Sequence, residues 1–449
     1  MATPTFKKLM YRLGGAGLDV WRRRLGLGDE QTAIDLCHRL IGLRGEASAI
    51  VIADEIISRF NAMDDDEALQ FFEQLVDHFQ PDSESLKIAA EFYLADPGPE
   101  AASALADAAL APRQSVFRLL STSPAGVPAL VKLRERLLSL LPKNPQLQPL
   151  DSDLMHLFLS WFNRGFLELR RIDWQTPAHI LEKLIAYEAV HEIRGWDDLR
   201  RRLAEDRRCF AFFHPALQDE PLVFVQVALT QETATVIGDI IDEELSDELE
   251  PPKTAIFYSI SNCQSGLRGV SFGNFLIKQV LLELKQEFPS VVNSLTLSPV
   301  PNYRRWLQSV LVDPDLIATY GLSENRVAKL TELDMEIKSN NDVEELLEDC
   351  QPALLRMCAA FLLYERRADL PKDAVARFHL SNGASLDQVN WAGDMSSRRL
   401  KQSFGILVNY LYEADKLEQN HEQLVNDGEI AASSAVKKLA NGKHARRAA

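Results

Sequence analysis

The spacing of hydrophobic residues changes character along this chain near His191. Before that point they recur at helical intervals, in amphipathic segments such as Ile52-Ile56-Ile57-Phe60. After it, runs rich in β-branched and aromatic residues are bounded by turn residues, as strands are. A chain of 449 residues is also longer than one ordinary hydrophobic core requires. We therefore predict an α+β fold, with an all-helical N-terminal domain over residues 1–190 and a mixed α/β domain over residues 191–449.

The predicted sheet of the second domain is assembled from short runs. A long amphipathic helix, with Ile277, Leu281 and Leu284 on one face, lies between the run at residues 255–260 and the run at residues 291–297. Residues 313–370 return to helical spacing and form a predicted insertion before the sheet resumes at residues 404–412. From about residue 415 the chain is a polar tail. The five runs cover residues 208–213, 221–229, 235–237, 255–260 and 291–297.

Charge and cysteine content exclude several classes of partner. The net charge is −16 and the pI is near 5.1, whereas a nucleic-acid backbone needs a dense lysine and arginine footprint. The five cysteines form no C-x-x-C pair and have no histidine at ligand spacing, so we expect a reducing compartment and no metal site. No apolar run approaches the roughly 20 residues that span a bilayer, so we expect no membrane partner.

The helical domain carries amphipathic helices but no chemical signature. We therefore predict that it mediates self-association, giving a homo-oligomer that is a tetramer or a dimer. Its first residues are basic, with Arg22, Arg23 and Arg24 among them. We favour a surface arm of a bacterial cytoplasmic protein, and the alternative is a transit peptide for the mitochondrial matrix.

Gly266, Gly269 and Gly273 punctuate a loop that lies between a predicted strand and a predicted helix. Such glycines let backbone N–H groups converge on an anion, and the helix N-terminus adds about half a positive charge. The loop lacks the Gly-Lys-Ser/Thr of a Walker motif and the G-x-G-x-x-G spacing of dinucleotide-binding folds. It is similar to the pyrophosphate loop with which the acetyltransferase (GNAT) superfamily holds coenzyme A. The alternative is a glycine-rich turn that only caps the helix.

His379 is the only histidine in a segment of small and amide residues, the motif Phe378-His379-Leu380-Ser381-Asn382. We predict that it precedes a turn, outside the stripe of a helix, with its imidazole facing a cavity. A histidine that titrates near neutrality is an efficient proton donor. On its own, a single histidine without a partner is more often a structural residue, so the surrounding motifs decide its interpretation.

Several short motifs in one order resemble the malonyl-CoA decarboxylase family. The resemblance covers roughly residues 161–412. It implies a GNAT-like catalytic domain with malonyl-CoA as the substrate, coenzyme A being part of that substrate, and no separate cofactor. Besides the histidine word, the motifs are Glu188-Ala189-Val190-His191, Asn274-Phe275-Leu276-Ile277-Lys278, Leu297-Ser298-Pro299-Val300-Pro301 and Val408-Asn409-Tyr410-Leu411-Tyr412.

The resemblance also implies roles for individual residues. The family's catalytic serine and histidine fall on Ser298 and His379, and its Asn-Tyr-x-Tyr word implies active-site roles for Asn409 and Tyr412. Ser271 departs from the glutamate of the family's pattern, so no role of that glutamate is transferred. The coenzyme-binding segment falls on Arg268, Gly269, Val270, Ser271, Phe272, Gly273 and Asn274.

These residue types suit a decarboxylation. Loss of CO2 from a malonyl thioester leaves an enolate, which needs hydrogen-bond donors at its oxygen and a proton at its α-carbon. We expect His379 to deliver that proton and Ser298 to orient the carboxylate and relay a proton. A nucleophilic serine that forms an acyl-enzyme is the competing role. Two other functions stay open: a coenzyme A-dependent acyltransferase and a non-catalytic acyl-CoA sensor.

Overall fold

The computed structural model of the protein describes residues 22–28, 30–242, 250–270 and 275–441. The chain divides into two compact units. The first contains the described residues up to Leu167 together with His214–Gln218 and Gln264–Ser271. The second contains Glu168–Phe213, Asp219–Cys263 and Phe272–Ala449. The predicted boundary at residue 190 falls inside this second unit.

The first unit is helical. Thr32 and Asp64 each accept a hydrogen bond from the first turn of the helix that follows, and each completes a capping box. Pro112 occupies a first helical position, where no backbone N–H is needed. The buried rings of Phe60 and Phe72 pack at 5.6 Å between centroids in its core. Its helices are α1 (Ala33–Gly42), α2 (Glu46–Ala62), α3 (Asp65–His78), α4 (Ser83–Ala95), α5 (Pro99–Ala109), α6 (Pro112–Leu120), α7 (Gly126–Leu140) and α8 (Gln148–Trp161).

The second unit is built on a large mixed sheet. Its central strands are rich in valine, isoleucine and phenylalanine and are buried along almost their whole length, because both faces of the sheet are covered. A separate two-stranded ribbon lies in the insertion. The strands are β1 (Glu168–Ile172), β2 (Arg207–Phe213), β3 (Val223–Thr230), β4 (Thr254–Asn262), β5 (Asn293–Thr296), β6 (Ser298–Pro299), β7 (Arg366–Arg367), β8 (Leu370–Pro371), β9 (Ser385–Asn390) and β10 (Leu407–Leu411).

The strand order in the sheet is β1-β2-β3-β4-β5-β10-β6, and β9 pairs with β10. All of these pairings are antiparallel except that of β4 with β5. A helical N-terminal region followed by this mixed sheet confirms the predicted α+β fold class. Strands β5 and β6 pair one after the other, in a single register, with one edge of β10, and β9 pairs with its other edge. A strand from near the end of the chain is thus an inner strand of the sheet.

Helices cover the sheet and form the insertion. The insertion between β6 and β9 is helical, as predicted for residues 313–370. The region predicted as a polar tail instead contains two helices that bury Leu424 and Val436. The helices of this unit are α9 (Ala178–Tyr187), α10 (Trp196–Arg202), α11 (Gly238–Ile241), α12 (Phe275–Glu287), α13 (Tyr303–Leu311), α14 (Pro314–Thr319), α15 (Glu324–Ser339), α16 (Glu344–Tyr364), α17 (Ala374–Ser381), α18 (Ser397–Ser403), α19 (Leu417–Asp427) and α20 (Ser434–Ala440).

One predicted strand was wrong, and two strands of the large sheet were not predicted, nor were the two short strands β7 and β8 of the insertion. Residues 235–237 form a loop that leads into α11. Its Ile237 packs with Ile256 and Leu297 in a buried cluster, and its backbone N–H donates to the Gly393 carbonyl. Core packing therefore explains the β-branched residues there. The strands missed in the large sheet are β1, whose charged residues hide the alternation, and β9, which contains Asp387.

Within the part of the chain that the structure describes, no helix is long and apolar enough to cross a membrane. The same residues contain no group of three or more His, Cys, Asp or Glu side chains that could hold a metal ion. All five cysteines are buried free thiols. Burial raises the pKa of the Cys37 thiol to about 12, so this group stays protonated.

Candidate active site

Ser298 opens the short strand β6, where it pairs with Val408 of β10. Side chains alternate between the faces of a strand, so Thr296, two residues earlier, points to the same side of the sheet. The Ser298 hydroxyl donates a hydrogen bond to the Thr296 hydroxyl at 2.8 Å. Only 5% of Ser298 is exposed, so its hydroxyl is held inside the protein rather than at its surface.

His379 lies in the last turn of α17, so the prediction that it stands outside a helix was wrong. The helix begins after Asp373, whose carboxylate accepts hydrogen bonds from the first turn. It ends at Ser381, two residues before Gly383, where φ is +85° and a β-carbon would lie 2.1 Å from the Leu417 carbonyl oxygen. The expected turn therefore follows the histidine directly. The ring itself is 4% exposed.

The two predicted catalytic side chains meet. The Ser298 Oγ atom lies 3.1 Å from Nε2 of His379, although the residues are 81 positions apart in the chain. The other ring nitrogen, Nδ1, lies 2.8 Å from the Tyr412 hydroxyl. The Tyr410 ring stacks on the imidazole at 4.7 Å between centroids. Both nitrogens of His379 therefore have partners, and the ring plane is fixed by packing.

The hydrogen bonds give this chain of groups a direction. Because the Ser298 hydroxyl donates to Thr296, its oxygen accepts from His379, and the ring carries its proton on Nε2. Nδ1 of His379 then accepts from the Tyr412 hydroxyl. The Thr296 hydroxyl also accepts from the backbone N–H of Tyr410 at 3.1 Å, which ties β5 to β10. A proton can thus pass from Tyr412 through the ring to Ser298.

Burial keeps the titratable members of this chain neutral. Desolvation lowers the pKa of His379 from 6.5 to about 3, since none of its hydrogen-bond partners is a carboxylate. Desolvation also raises the pKa of the Tyr412 phenol well above its usual value. The expectation of a histidine that titrates near neutrality was therefore wrong. At physiological pH the ring is a neutral imidazole with one proton to pass on.

Asn409 lies on β10 and is completely buried. Its amide nitrogen donates to the backbone carbonyls of Thr296 at 2.7 Å and Ala234 at 3.3 Å. Its amide oxygen accepts from Asn390 at 2.6 Å. These contacts join three segments of the sheet unit next to the serine strand. Each of these hydrogen bonds links the Asn409 side chain to another residue of the protein.

The predicted coenzyme loop is described only in part. Ser271, Phe272, Gly273 and Asn274 lie outside the described residues. Arg268, Gly269 and Val270 belong to the helical unit, where the loop is fixed by packing. A β-carbon at Gly266 would lie 2.0 Å from the Val131 carbonyl oxygen of α7. Gly266 is therefore required by packing alone.

Gly269 and Arg268 are placed by their neighbours in the helical unit. Gly269 has φ of +89°, and a β-carbon there would lie 2.6 Å from Cε of Met155. The buried guanidinium of Arg134 donates to the carbonyl of Arg268 at 2.9 Å and to that of Gly266 at 2.7 Å. The Arg268 side chain is exposed. The described part of the loop is thus anchored to α7 and α8, with the Arg268 cation directed to solvent.

Comparison with known proteins gives the family. The C-terminal domain model of malonyl-CoA decarboxylase matches residues 165–449, and the N-terminal domain model matches residues 79–162. The chain belongs to the malonyl-CoA decarboxylase family. A mitochondrial malonyl-CoA decarboxylase of Anser anser anser is 35% identical over 348 residues, which are 73% of this chain and 69% of the goose protein. The mouse enzyme is 34% identical over 352 residues, which are 74% of this chain and 72% of the mouse protein.

Solved structures of bacterial malonyl-CoA decarboxylases are also similar. The protein of Rhodopseudomonas palustris is 46% identical and superposes with a TM-score of 0.84, covering 90% of this chain and 98% of the other. The protein of Agrobacterium vitis is 47% identical with a TM-score of 0.83, covering 91% of this chain and all of the other (100%). The similarity therefore extends over the helical unit as well as the sheet unit.

Three residues of the site were missed by the sequence analysis. Thr296 could have been found, because it lies two positions before Ser298 on the same strand face. Tyr410 lies within the family word that singled out Asn409 and Tyr412, yet its contact with the histidine needs the fold. Asn390 precedes Trp391 in a strand that was not predicted. These three residues surround the serine and the histidine. Their contacts form only when β5 and β9 pair with β10.

Proposed function

We propose that this protein is a carboxy-lyase that converts malonyl-CoA to acetyl-CoA and CO2, with Ser298 and His379 as a proton-relay pair. Membership of the malonyl-CoA decarboxylase family supports the reaction and the substrate. The observation that supports the relay is the 3.1 Å contact between the serine and the histidine, continued by the 2.8 Å contact to Tyr412. Three groups in line, all neutral, suit the transfer of one proton.

The chemistry follows from the thioester. When the bond to the carboxylate breaks, its electrons move into the thioester as an enolate, so no further electron acceptor or cofactor is required. The Ser298 hydroxyl gives its proton to the α-carbon, and the Nε2 proton of His379 replaces it. Tyr412 gives its own proton to Nδ1 and takes another from water, because its raised pKa disfavours the phenolate. One proton is consumed for each CO2 released.

The acyl-enzyme alternative moves a proton between Ser298 and His379 in the opposite direction. It needs Nε2 to accept the serine proton, whereas Ser298 donates to Thr296 and leaves Nε2 as the donor. The overall reaction also requires no acyl transfer. We therefore favour the relay. A covalent malonyl or acetyl adduct on Ser298, observed by mass spectrometry of quenched enzyme, would reject the relay in favour of the acyl-enzyme.

We propose that residues 268–274 bind the coenzyme A pyrophosphate. The segment lies in the chain between β4 and the N-terminus of α12, where backbone N–H groups and a helix dipole favour an anion. The exposed cation of Arg268 adds a positive charge. Asn409 acts as a positioning residue, because its amide holds the Thr296 backbone beside Ser298.

The helical unit is proposed to mediate homo-oligomer formation. Helix α4 buries only Ala89, while Ile88, Phe92 and Leu94 are 61%, 46% and 78% exposed. Leu110, just after α5, is 43% exposed. Such a cluster of exposed apolar side chains is typical of a surface that another chain covers. We expect a dimer or a tetramer.

We propose the bacterial cytoplasm as the compartment and keep the mitochondrial matrix as the alternative. Two bacterial structures are 46% and 47% identical to this chain and a third is 35% identical, against 34% and 35% for the mitochondrial enzymes. Five buried free thiols suit a reducing environment.

Release of CO2 from malonyl-CoA without an added acceptor is the deciding experiment. A decarboxylase releases CO2 and acetyl-CoA in equal amounts, an acyltransferase needs an acceptor, and a sensor releases neither. The Ser298→Ala variant should reduce turnover about a hundredfold or more, while Ser160→Ala, an exposed serine on α8, should not. Full turnover in a folded Ser298→Ala protein would reject the assigned role of the serine but not the reaction.

A further inference from the structure

A cavity of about 510 Å³ lies in the sheet unit and is lined by none of Ser298, His379 or Tyr412. Its walls come from three segments: the region between α9 and α10, the loop leading through α11, and the loop from β9 to α18. A volume of this size is within the range of sites for small organic ligands. The cavity is therefore large enough for a metabolite rather than a single water or ion.

One wall of the cavity is cationic. Arg399 is 3% exposed, and its two terminal nitrogens are used by the Val190 carbonyl and the Gln402 side chain, each at 2.7 Å. Its Nε atom makes no hydrogen bond, and the nearest carboxylate oxygen, on Asp394, is 3.4 Å away. Buried donors without an acceptor are costly, so an acceptor is expected at this place.

His191 supplies a second orphaned group on the same wall. Its ring is buried, and Nε2 has no hydrogen-bond partner among the described residues. Burial, together with the charge of Arg399, lowers the pKa of His191 to about 3, so the ring is neutral and can donate one hydrogen bond. Arg194 and Arg398 also line the cavity; both are exposed and have no ion-pair partner among the described residues.

Another part of the lining is apolar. Val236, Ile237, Ile241 and Met395 line it. The acidic residues of the lining are Glu192, Asp242 and Asp394, and of these Asp394 is directed at Arg399 and His191. Four arginines and three carboxylates line the cavity, so the lining carries one net positive charge. A ligand that matches both walls has an anionic group at one end and a hydrocarbon body at the other.

We propose that this cavity binds an organic anion with an apolar body, held through a carboxylate or phosphate group by Arg194, Arg398 and Arg399. The donors for the anionic group are the exposed guanidinium groups of Arg194 and Arg398 and the Nε atom of Arg399, whose only polar neighbour among the described residues is Asp394 at 3.4 Å. The hydrocarbon part packs against Ile237 and Met395. This site is separate from the residues of the proton relay, so its occupation does not depend on the proposed decarboxylation.

Isothermal titration of the full-length protein with octanoate and with octyl phosphate tests the site. We expect saturable binding of at least one of them, and the tighter one identifies the preferred anionic group. Arg194→Gln and Arg398→Gln should each weaken binding about tenfold, because each removes a charged donor. Both residues are exposed, so neither substitution should disturb folding.

The controls separate this cavity from the active site and from nonspecific charge effects. Arg200→Gln removes an exposed arginine of α10 that does not line the cavity, and it should leave the affinity unchanged. Ser298→Ala should leave it unchanged as well. Absence of saturable binding, an affinity insensitive to the Arg194→Gln/Arg398→Gln double substitution, or binding lost in Ser298→Ala would each overturn the proposal.

Discussion

The hydroxyl of Tyr412 lies 2.8 Å from Nδ1 of His379, on the side of the ring opposite Ser298. This contact matters because the ring is neutral, with a pKa of about 3. A neutral imidazole that loses its Nε2 proton must regain one at Nδ1, and the phenol is the group placed to supply it. In the proposed mechanism, Tyr412 therefore replaces the proton that His379 passes to Ser298.

Removing the Tyr412 hydroxyl tests this relay. Tyr412→Phe keeps the ring and its packing, so we expect kcat to fall about tenfold to a hundredfold with little change in KM. Steady-state kinetics with malonyl-CoA measures both constants. The control is Tyr364→Phe, which removes an exposed hydroxyl bonded to Asn441 and should leave kcat unchanged. A normal kcat in Tyr412→Phe would mean that protons reach His379 by another route.

Replacing the histidine should affect turnover more severely. His379→Asn keeps a hydrogen-bonding side chain but cannot pass a proton between two ring nitrogens, so we expect kcat to fall by about two to four orders of magnitude. Coenzyme A should still bind in calorimetry. Near-normal turnover in the folded variant would remove His379 from the mechanism.

The pH–rate profile of the unsubstituted enzyme gives a second test of the same residue. Because the pKa of His379 is about 3, its ring stays neutral throughout the physiological range. We therefore expect no limb assignable to this histidine above about pH 5. A limb near pH 6.5 that disappears in His379→Asn would show that the ring titrates near neutrality in the working enzyme.

The sequence motifs predicted Ser298 and His379 as a catalytic pair, and the structure places their side chains in hydrogen-bond contact. Their catalytic roles stay predictions. The bond from the Tyr410 N–H to Thr296 joins residues 114 positions apart and depends on strand pairing that local spacing does not encode. The lowered pKa of His379 likewise arises from tertiary burial, which a single histidine in a sequence does not reveal.

The fold class was predictable because the spacing of hydrophobic residues differs between helices and strands. The strand predictions failed where residues typical of strands pack from a loop, or where a strand consists largely of charged residues. Ile237 looks like part of a strand but fills a core cluster from a loop. Edge strand β1 carries Glu168, Arg170 and Arg171, so it lacks the nearly continuous apolar run that marks β3. Similarly, a helix as short as α17 gives too few turns for its period to be recognised.

Acid should destabilise the protein through its buried histidines. The pKa of His379 is about 3 in the folded state and near 6.5 when unfolded, so between these values the unfolded chain binds the extra proton. The free energy of unfolding therefore falls as pH decreases through this window, by up to about 1.4 kcal/mol per pH unit for this residue. His191 contributes in the same direction.

Thermal unfolding followed by circular dichroism measures this effect. Between pH 7 and pH 4.5 the Tm should fall less in His379→Asn than in the unsubstituted protein, since the variant has no ring to protonate. An exposed histidine serves as the control, and His156→Asn should show the unsubstituted slope. Equal slopes in all three proteins would mean that His379 is not held neutral by burial.

Substitution of the exposed apolar residues of α4 should reduce self-association. Phe92→Glu combined with Leu94→Glu places charges where apolar side chains would be covered by a second copy, so we expect a smaller particle in light scattering. Lys87→Glu changes charge on the same helix at a polar position and is the matched control. An unchanged particle mass in the Phe92→Glu/Leu94→Glu protein would place the contacts between copies elsewhere.

Arg268 provides the cleanest test of the coenzyme segment. Its side chain is exposed and its carbonyl, rather than its guanidinium, is held by Arg134, so Arg268→Gln should preserve folding. The Arg268 cation is expected to pair with the pyrophosphate equally in the ground state and the transition state. Its loss should therefore raise KM about tenfold and leave kcat unchanged. Arg118→Gln removes an exposed arginine of α6 and should change neither constant. Titration of coenzyme A into both variants separates binding from turnover, and equal affinities would exclude Arg268 from the coenzyme site.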